Sequence, residues 1–275
     1  MHTGKYILVN GSFISADEYR ISISESDAFL FSEKFRAVRT SFPFFAETLE
    51  IIKLKFLIYN QSFPEFTANG GSVLLRQLER TLTKNKLFLG AVFTVTFSCR
   101  EGKINYRIVS EKYEPSDFEL NEKGLFVELF DKLKKPSTSL SSLSIGSEIY
   151  WKIARNQIKD TSTDQLLLVN TEDQIIEALE SNLYLIKDDQ ILGASCDQGA
   201  FLDISQPFLL SIFRKLQLRY SENEPITIRD IRLADEIMIV NAIDGVKWVV
   251  GFEGKRYFNH RIRKISEIFA GKALS

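Results

Sequence analysis

Two short apolar runs, Tyr6-Ile-Leu-Val9 and Ser12-Phe-Ile14, flank Asn10-Gly11. That dipeptide supplies the positive φ angles of a two-residue type I′ turn, so the chain opens with a predicted β-hairpin. A loop rich in Ser, Asp and Glu follows, and Phe29 to Val38 resumes an extended run. Pro43 to Tyr59 carries Leu49, Ile52, Phe56 and Tyr59 at helical spacing, with Glu47 and Glu50 near its start. Gly70-Gly71 interrupts the chain, and Ser72 is placed to cap a helix over Val73 to Lys84. Ala91 to Ser98 and Lys103 to Ser110 read as a second hairpin around Arg-Glu-Gly.

Tyr113 to Lys123 is polar, contains Pro115, and is the expected boundary between a domain over 1–117 and a larger one over 118–275. Beyond it the pattern predicts a strand at Leu125 to Phe130, a polar connection from Lys132 to Ser139, and a helix from Tyr150 to Ile158. Strands are expected at Gln165–Asn170, Gln174–Ala178, Asn182–Lys187 and Gln190–Leu192, then a helix at Pro207 to Leu216 with its proline early. Strands at Ala234–Asn241 and Val246–Gly251 and a helix from His260 to Phe269 close the chain. Strands and helices mix without strict βαβ alternation, which predicts α+β domains rather than a doubly wound sheet.

Composition narrows the function classes. With 35 basic and 36 acidic side chains, no strong field favours nucleic acid or an anionic membrane. No apolar run approaches membrane-spanning length, and the first residues lack a secretory h-region. Cys99 and Cys196 lie far apart without metal-ligand spacing, so neither a metal site nor a disulfide framework is expected, and a cytoplasmic protein is. The 22 Phe residues predict aromatic-rich cores. His2 is terminal, which leaves His260 as the sole histidine for a Ser-His-Asp or Cys-His site, and its context reads as a solvated helix start. The serine-rich run Ser137 to Ser144 reads as a polar connection entering a strand, not as a nucleophile.

Four segments, in order, carry a family likeness. They are Leu140-Ser-Ser-Leu-Ser144, Asp164-Gln-Leu-Leu-Leu-Val-Asn170, Ile175-Ile-Glu177 with Ser181-Asn182-Leu-Tyr184, and Ala234-Asp235-Glu236. Together they resemble the fold-type IV pyridoxal-phosphate enzymes, the class IV aminotransferases, which include branched-chain and D-amino-acid aminotransferases and aminodeoxychorismate lyase. The resemblance covers most of the chain, strongly from Leu140 to Val246. It implies a two-domain fold with an interdomain cleft, a homodimer, and pyridoxal phosphate as cofactor.

Pyridoxal phosphate needs an amine for the Schiff base, a carboxylate at the pyridine nitrogen, and donors for its phosphate. Counting back without gaps from Asn170 puts the family's lysine position at Ser144. Neither neighbour reached by a gap, Ser142 or Leu143, is a lysine. Lys134 and Lys135 precede it, and Lys152 and Lys159 follow; none is expected to reach the same point. Glu177 occupies the pyridine-nitrogen position, or is an acidic residue closing a strand. Ile204-Ser205 resembles the pair whose amides hold the phosphate, preceded by Asp203 where the family has glycine and followed by Gln206 where it has arginine; read from the residues themselves, Ser205 is first a plain helix cap ahead of Pro207. Thr48 to Ile52 fills the register of a His-x-x-Arg-Leu helix without its histidine or its arginine, Ile51 standing at the latter. Phe35-Arg36 replaces a Phe-Glu pair, and Ala242 stands where Thr or Ser is common.

Residues that build the fold persist, and residues that hold the cofactor are replaced. The expected function is therefore a degenerate family member that lacks covalent attachment of the cofactor and binds a small anionic metabolite or a partner in the cleft. Two other readings stand beside it. One is an active aminotransferase or aminodeoxychorismate lyase; the other is a non-covalent catalyst using Glu177 or Ser144.

Overall fold

The computed structural model describes residues 4–21, 28–114, 116–158 and 162–274. His2, Pro115, Lys159 and part of the polar loop after the first hairpin lie outside them. The chain divides into two compact units, Met1–Asp117 with Lys272–Ser275, and Phe118–Gly271.

In the first unit, β1 (Tyr6–Val9) and β2 (Ser12–Ser15) form the expected hairpin. Asn10 and Gly11 both take positive φ, 46° and 87°. β3 (Phe29–Val38), β4 (Gly90–Arg100) and β5 (Lys103–Lys112) complete an antiparallel sheet in the order β2-β1-β5-β4-β3. β4 alternates, with Ala91, Phe93, Val95 and Phe97 buried on one face. Helix α1 (Phe45–Ile58) buries Thr48, Leu49, Ile52 and Phe56 at helical spacing. Phe31 meets Phe56 and Phe97, each at 5.0 Å between ring centres. Helix α2 (Ser72–Asn85) starts one residue earlier than expected. Ser72 is its first residue and not its cap, because Gly71 occupies the cap position in a left-handed conformation.

In the second unit, the described strands form one mixed sheet of nine. They are β6 (Leu125–Lys135), β7 (Gln165–Asn170), β8 (Ile175–Ala178), β9 (Asn182–Lys187), β10 (Gln190–Gly193), β11 (Arg219–Ser221), β12 (Glu236–Asn241), β13 (Gly245–Phe252) and β14 (Lys255–Arg256). Their order is β11-β10-β9-β12-β13-β6-β7-β8, with β14 beside β13. β6 runs parallel to both β13 and β7. Helices α3 (Ser144–Arg155), α4 (Gln206–Lys215), α5 (Ile228–Leu233) and α6 (His260–Ala270) complete the unit. The core centres on Ile176, Ile226, Ile231, Ile237 and Val249, all fully buried. No described helix is long and apolar enough to cross a membrane.

Two boundaries differ from the sequence reading in ways that matter. β6 continues to Lys135, because Lys132 and Lys134 stay accessible while Leu133 and Lys135 turn inward; the pattern looked like a polar connection. The Ser137–Ser144 run enters a helix rather than a strand, and α3 begins at Ser144, six residues before its expected start.

The first turn of α3 is pressed against its own approach. A Cβ at Gly146 would lie 2.2 Å from the Leu140 carbonyl oxygen. Gly146→Ala should therefore lower stability by about 1–3 kcal/mol despite alanine's better helix propensity. Urea denaturation checks this; a more stable variant would show that the turn is not packed as described.

The Ala234-Asp235-Glu236 motif has a structural role. Glu236 is buried and its carboxylate accepts the Arg261 and Ile262 backbone N–H groups at 3.0 and 3.1 Å, satisfying the start of α6. Asp235 accepts the Asp188 N–H at 3.1 Å, fixing the β9–β10 turn. His260, at the exposed first position of α6, stacks on Phe258.

Candidate active site

Glu177 lies on β8, a four-residue strand buried at every position. Its partner across the sheet is Leu168 of β7, whose other neighbour is Phe130 of β6. The last residue of β6, Lys135, pairs with Asn170 of β7 beyond an irregularity in the register, and its Nζ donates to Glu177 Oε2 at 2.6 Å. Neither side chain is exposed. Trp151, on the inward face of α3, donates Nε1–H to Oε1 at 2.8 Å, and the Phe201 N–H donates to Oε2 at 2.6 Å. Three donors from three different segments thus converge on one carboxylate.

Burial pushes the Glu177 carboxyl up, opposed by Lys135 and the hydrogen bonds from Trp151 and Phe201. Burial likewise pushes the Lys135 amine down, opposed by Glu177. Each member offsets part of the other's desolvation.

A second polar cluster surrounds Asp203. Its carboxylate accepts the Ser205 N–H at 2.8 Å and the Ser205 hydroxyl. Its own N–H donates to Asn182 Oδ1 at 3.0 Å, and the Asn182 side-chain amide donates to the Phe201 carbonyl. Asn182 therefore ties the Asp203 cluster to the segment that serves Glu177. Burial pushes the Asp203 carboxyl up to about 6, against the pull of the Ser205 donors. Ser205 holds the cap position of α4, but its hydroxyl donates to Asp203 and makes no capping bond. The expectation of a plain cap is corrected on that point. Ile204 is half-buried in the turn before α4.

Ser144 is half-buried at the first position of α3, and the approach to it is pinned by the Leu202 N–H donating to Ser142 O at 3.0 Å. Position 144 offers a hydroxyl, where a Schiff base requires an amine. The nearby amine that the sequence reading set aside does reach the site, but at the carboxylate. Pyridine nitrogen and aldehyde lie para to one another on the cofactor ring. The resemblance puts Glu177 at the pyridine nitrogen, and an amine bonded to it stands at the opposite end from the aldehyde. The Ser205 N–H at the start of α4 already serves the Asp203 carboxylate. Among the described residues, position 144 itself carries no amine for covalent attachment of pyridoxal phosphate.

In the first unit, Ile51 and Thr48 lie on α1, and Thr48 donates its hydroxyl to the Phe44 carbonyl at 2.8 Å. Arg36 is buried with its guanidinium 4.0 Å from the Tyr113 ring centre. A groove of about 1060 Å³ runs along the opposite end of β6, lined by Leu125, Phe126, Glu128, Asp131, Phe252 and Arg256 among others. Neither Lys135 nor Glu177 lines it.

Comparison with known proteins places this arrangement. The family model described as amino-transferase class IV matches residues 74–250. No curated protein sequence matches the chain. Solved structures share the fold at low identity. The branched-chain aminotransferase of Thermoproteus uzoniensis with norvaline is 14% identical with a TM-score of 0.82, over 98% of this chain and 95% of that one. A branched-chain amino acid aminotransferase of Thermotoga maritima, so named provisionally, is 17% identical with a TM-score of 0.82, over 100% and 97%. The Escherichia coli branched-chain amino acid aminotransferase is 13% identical with a TM-score of 0.79, over 98% and 94%. A match spanning more than half the sequence, on the same α+β fold, identifies the chain as a member of the class IV aminotransferase family.

Proposed function

We propose that this chain is a class IV aminotransferase family member that forms no Schiff base and acts by binding a small anionic metabolite or a partner protein. The observation that carries the reading is the closed Lys135–Glu177 pair, with Ser144 in place of an amine at the start of α3. A pyridoxal ring would have to displace a buried ammonium from a carboxylate that three donors already serve. Without the amine, the chain's own residues supply no nucleophile toward an aldehyde at that end. The reading includes a second copy of the chain as partner. It is supported by the apolar side chains that the end of α1 and the segment after it leave exposed, Leu54, Leu57, Ile58, Tyr59 and Phe63. The free thiols of Cys99 and Cys196 suit a cytoplasmic setting.

The test is incubation with pyridoxal phosphate, visible absorbance, borohydride reduction and peptide mass mapping. No absorbance shift and no pyridoxyl-lysine is the expected result. A stoichiometric adduct on Lys135 would mean that the ion pair opens and that the amine serves as the base. That result would favour the competing reading, an active pyridoxal-phosphate aminotransferase or lyase, which family membership supports.

A further inference from the structure

The segment from Ser195 to Phe201 crosses the end of β6 beside the Lys135–Glu177 pair. Its first part is a short 3-10 turn, Cys196–Gln198, that closes on itself. The Ser195 N–H donates to Gln198 Oε1 at 3.0 Å. The Gly199 and Ala200 N–H groups donate back to the Cys196 and Ser195 carbonyls at 2.9 and 3.2 Å. The Gln198 carbonyl fastens this turn to the sheet, accepting the Ser137 hydroxyl at 2.8 Å and the Asn170 side-chain amide at 3.0 Å. Ser137 follows shortly after Lys135, and Asn170 is the residue opposite Lys135 on β7. At the other end, the Phe201 N–H donates to Glu177 Oε2, the oxygen that also receives Lys135 Nζ. The Phe201 ring stands edge-on to Trp151, at 5.0 Å between ring centres.

We propose that residues 195–201 are a strap closed over Lys135, and that lifting it, with the sheet intact, opens the amine to solvent. The bonds inside the turn survive such a movement, so its cost is confined to the attachments just named and to little apolar burial. Cys196 and Asp197 are exposed, and the apolar surface buried is the Ala200 methyl and part of the Phe201 ring. A segment with few apolar contacts and near-surface hydrogen bonds opens at less cost than the whole unit. Past the strap, the Asn182 amide holds the Phe201 carbonyl and the Ser142 carbonyl holds the Leu202 N–H, so the chain beyond stays fixed. Gly199 is the tight point. Its φ is +88°, and a Cβ there would lie 3.1 Å from the Pro136 carbonyl oxygen and from Ser137 Cα. A side chain at 199 therefore pushes the strap off the end of β6.

The inference goes beyond the proposed function and fails separately from it, because it concerns access to the amine whatever the chain binds. The probe is formaldehyde with cyanoborohydride, which methylates amines that reach solvent, followed by peptide mass mapping. In the unaltered protein Lys135 is expected to react at least about tenfold more slowly than its exposed neighbour Lys134. In Gly199→Val the Lys135 rate should rise at least about tenfold, the scale of the strain on a β-branched residue at positive φ. Hydrogen exchange at the Leu167 and Ile239 amides, inside the sheet, should match the parent. Equal Lys135 rates in the two folded proteins, or a Lys135 in the parent as reactive as Lys134, would overturn the proposal.

A measurement on the unaltered protein decides the matter if Gly199→Val does not fold. As urea is raised below the unfolding transition, Lys135 methylation and Phe201 amide exchange should hold steady while Leu167 exchange accelerates. Lys135 methylation that accelerates in step with Leu167 would mean that only opening of the whole unit uncovers the amine, and would equally overturn the proposal.

Discussion

Lys135→Met is expected to lower the unfolding free energy by about 3–5 kcal/mol, the range for stripping a buried ion of its partner. Methionine nearly matches the lysine stem in size, so the loss is one of charge and not of packing. Glu177 would remain fully buried with only Trp151 and Phe201 donating to it. The deficit should also depend on pH. Burial already raises the Glu177 carboxyl, and losing Lys135 removes the main force opposing that rise. A carboxyl raised in the folded state contributes stability below its unfolded pKa and loses it as pH rises through the folded value. Lys135→Met should therefore be closest to the parent in mild acid and furthest above neutrality. Lys135→Met with Glu177→Gln should recover part of the loss, since a neutral amide needs no counter-charge. Urea unfolding of the four proteins at two pH values gives the cycle; additive losses would show that the two side chains do not share an ion pair.

Asp203 carries the second large effect, with the same sign. Its carboxyl sits at about 6 in the folded protein, against an ordinary value near 3.8. A shift of about two units corresponds to about 3 kcal/mol. That stability is present below pH ~4 and lost as pH rises through about 6. Some 2 kcal/mol of it should disappear between pH ~4 and ~7.5. Asp203→Asn removes the titration, so the difference in unfolding free energy between it and the parent should change by that amount over the window. A constant difference would mean that Asp203 titrates alike folded and unfolded, and so is not buried in the folded protein as described.

The sequence showed where the sheet turns and which strands are buried, because those features are local. Asn10-Gly11 specifies its own hairpin, and Gln165 to Asn170 reads as a buried strand from composition alone. Helix α5 was legible but missed. Thr227 and Asp230 form a capping box, with the Thr227 N–H donating to Asp230 at 2.8 Å, and Thr-x-x-Asp is a readable signal. β11 and β14, at three and two residues, are too short to leave a pattern.

The site itself was legible only as a set of positions. Glu177, Ile204, Ser205 and Ser144 could be named, but their partners could not. Lys135 sits in the run Lys132-Leu-Lys-Lys135, which on composition is a solvated connection. Its inward turn comes after an irregularity in the β6–β7 register between Phe130 and Lys135, and its pairing with Glu177 depends on three strands lying side by side. Asp203 could be named only as the residue standing where the family has glycine. That its carboxylate would take the Ser205 N–H for itself is a matter of geometry, which spacing does not carry.

The position of β6 has a consequence for how the second unit comes together in time. It lies between β7 and β13, so its sheet position is complete only when distant segments have arrived. Asn121, just ahead of it, exchanges hydrogen bonds with Trp248, a partner 127 residues further along the chain. Closing loops of that length slows folding more than it weakens the product. Until β6 docks, Lys135 and Glu177 both remain hydrated, so its docking strips water from the pair. The desolvation therefore belongs to a late step, and substitutions at Lys135 should be felt chiefly in how fast the unit opens rather than in how fast it forms.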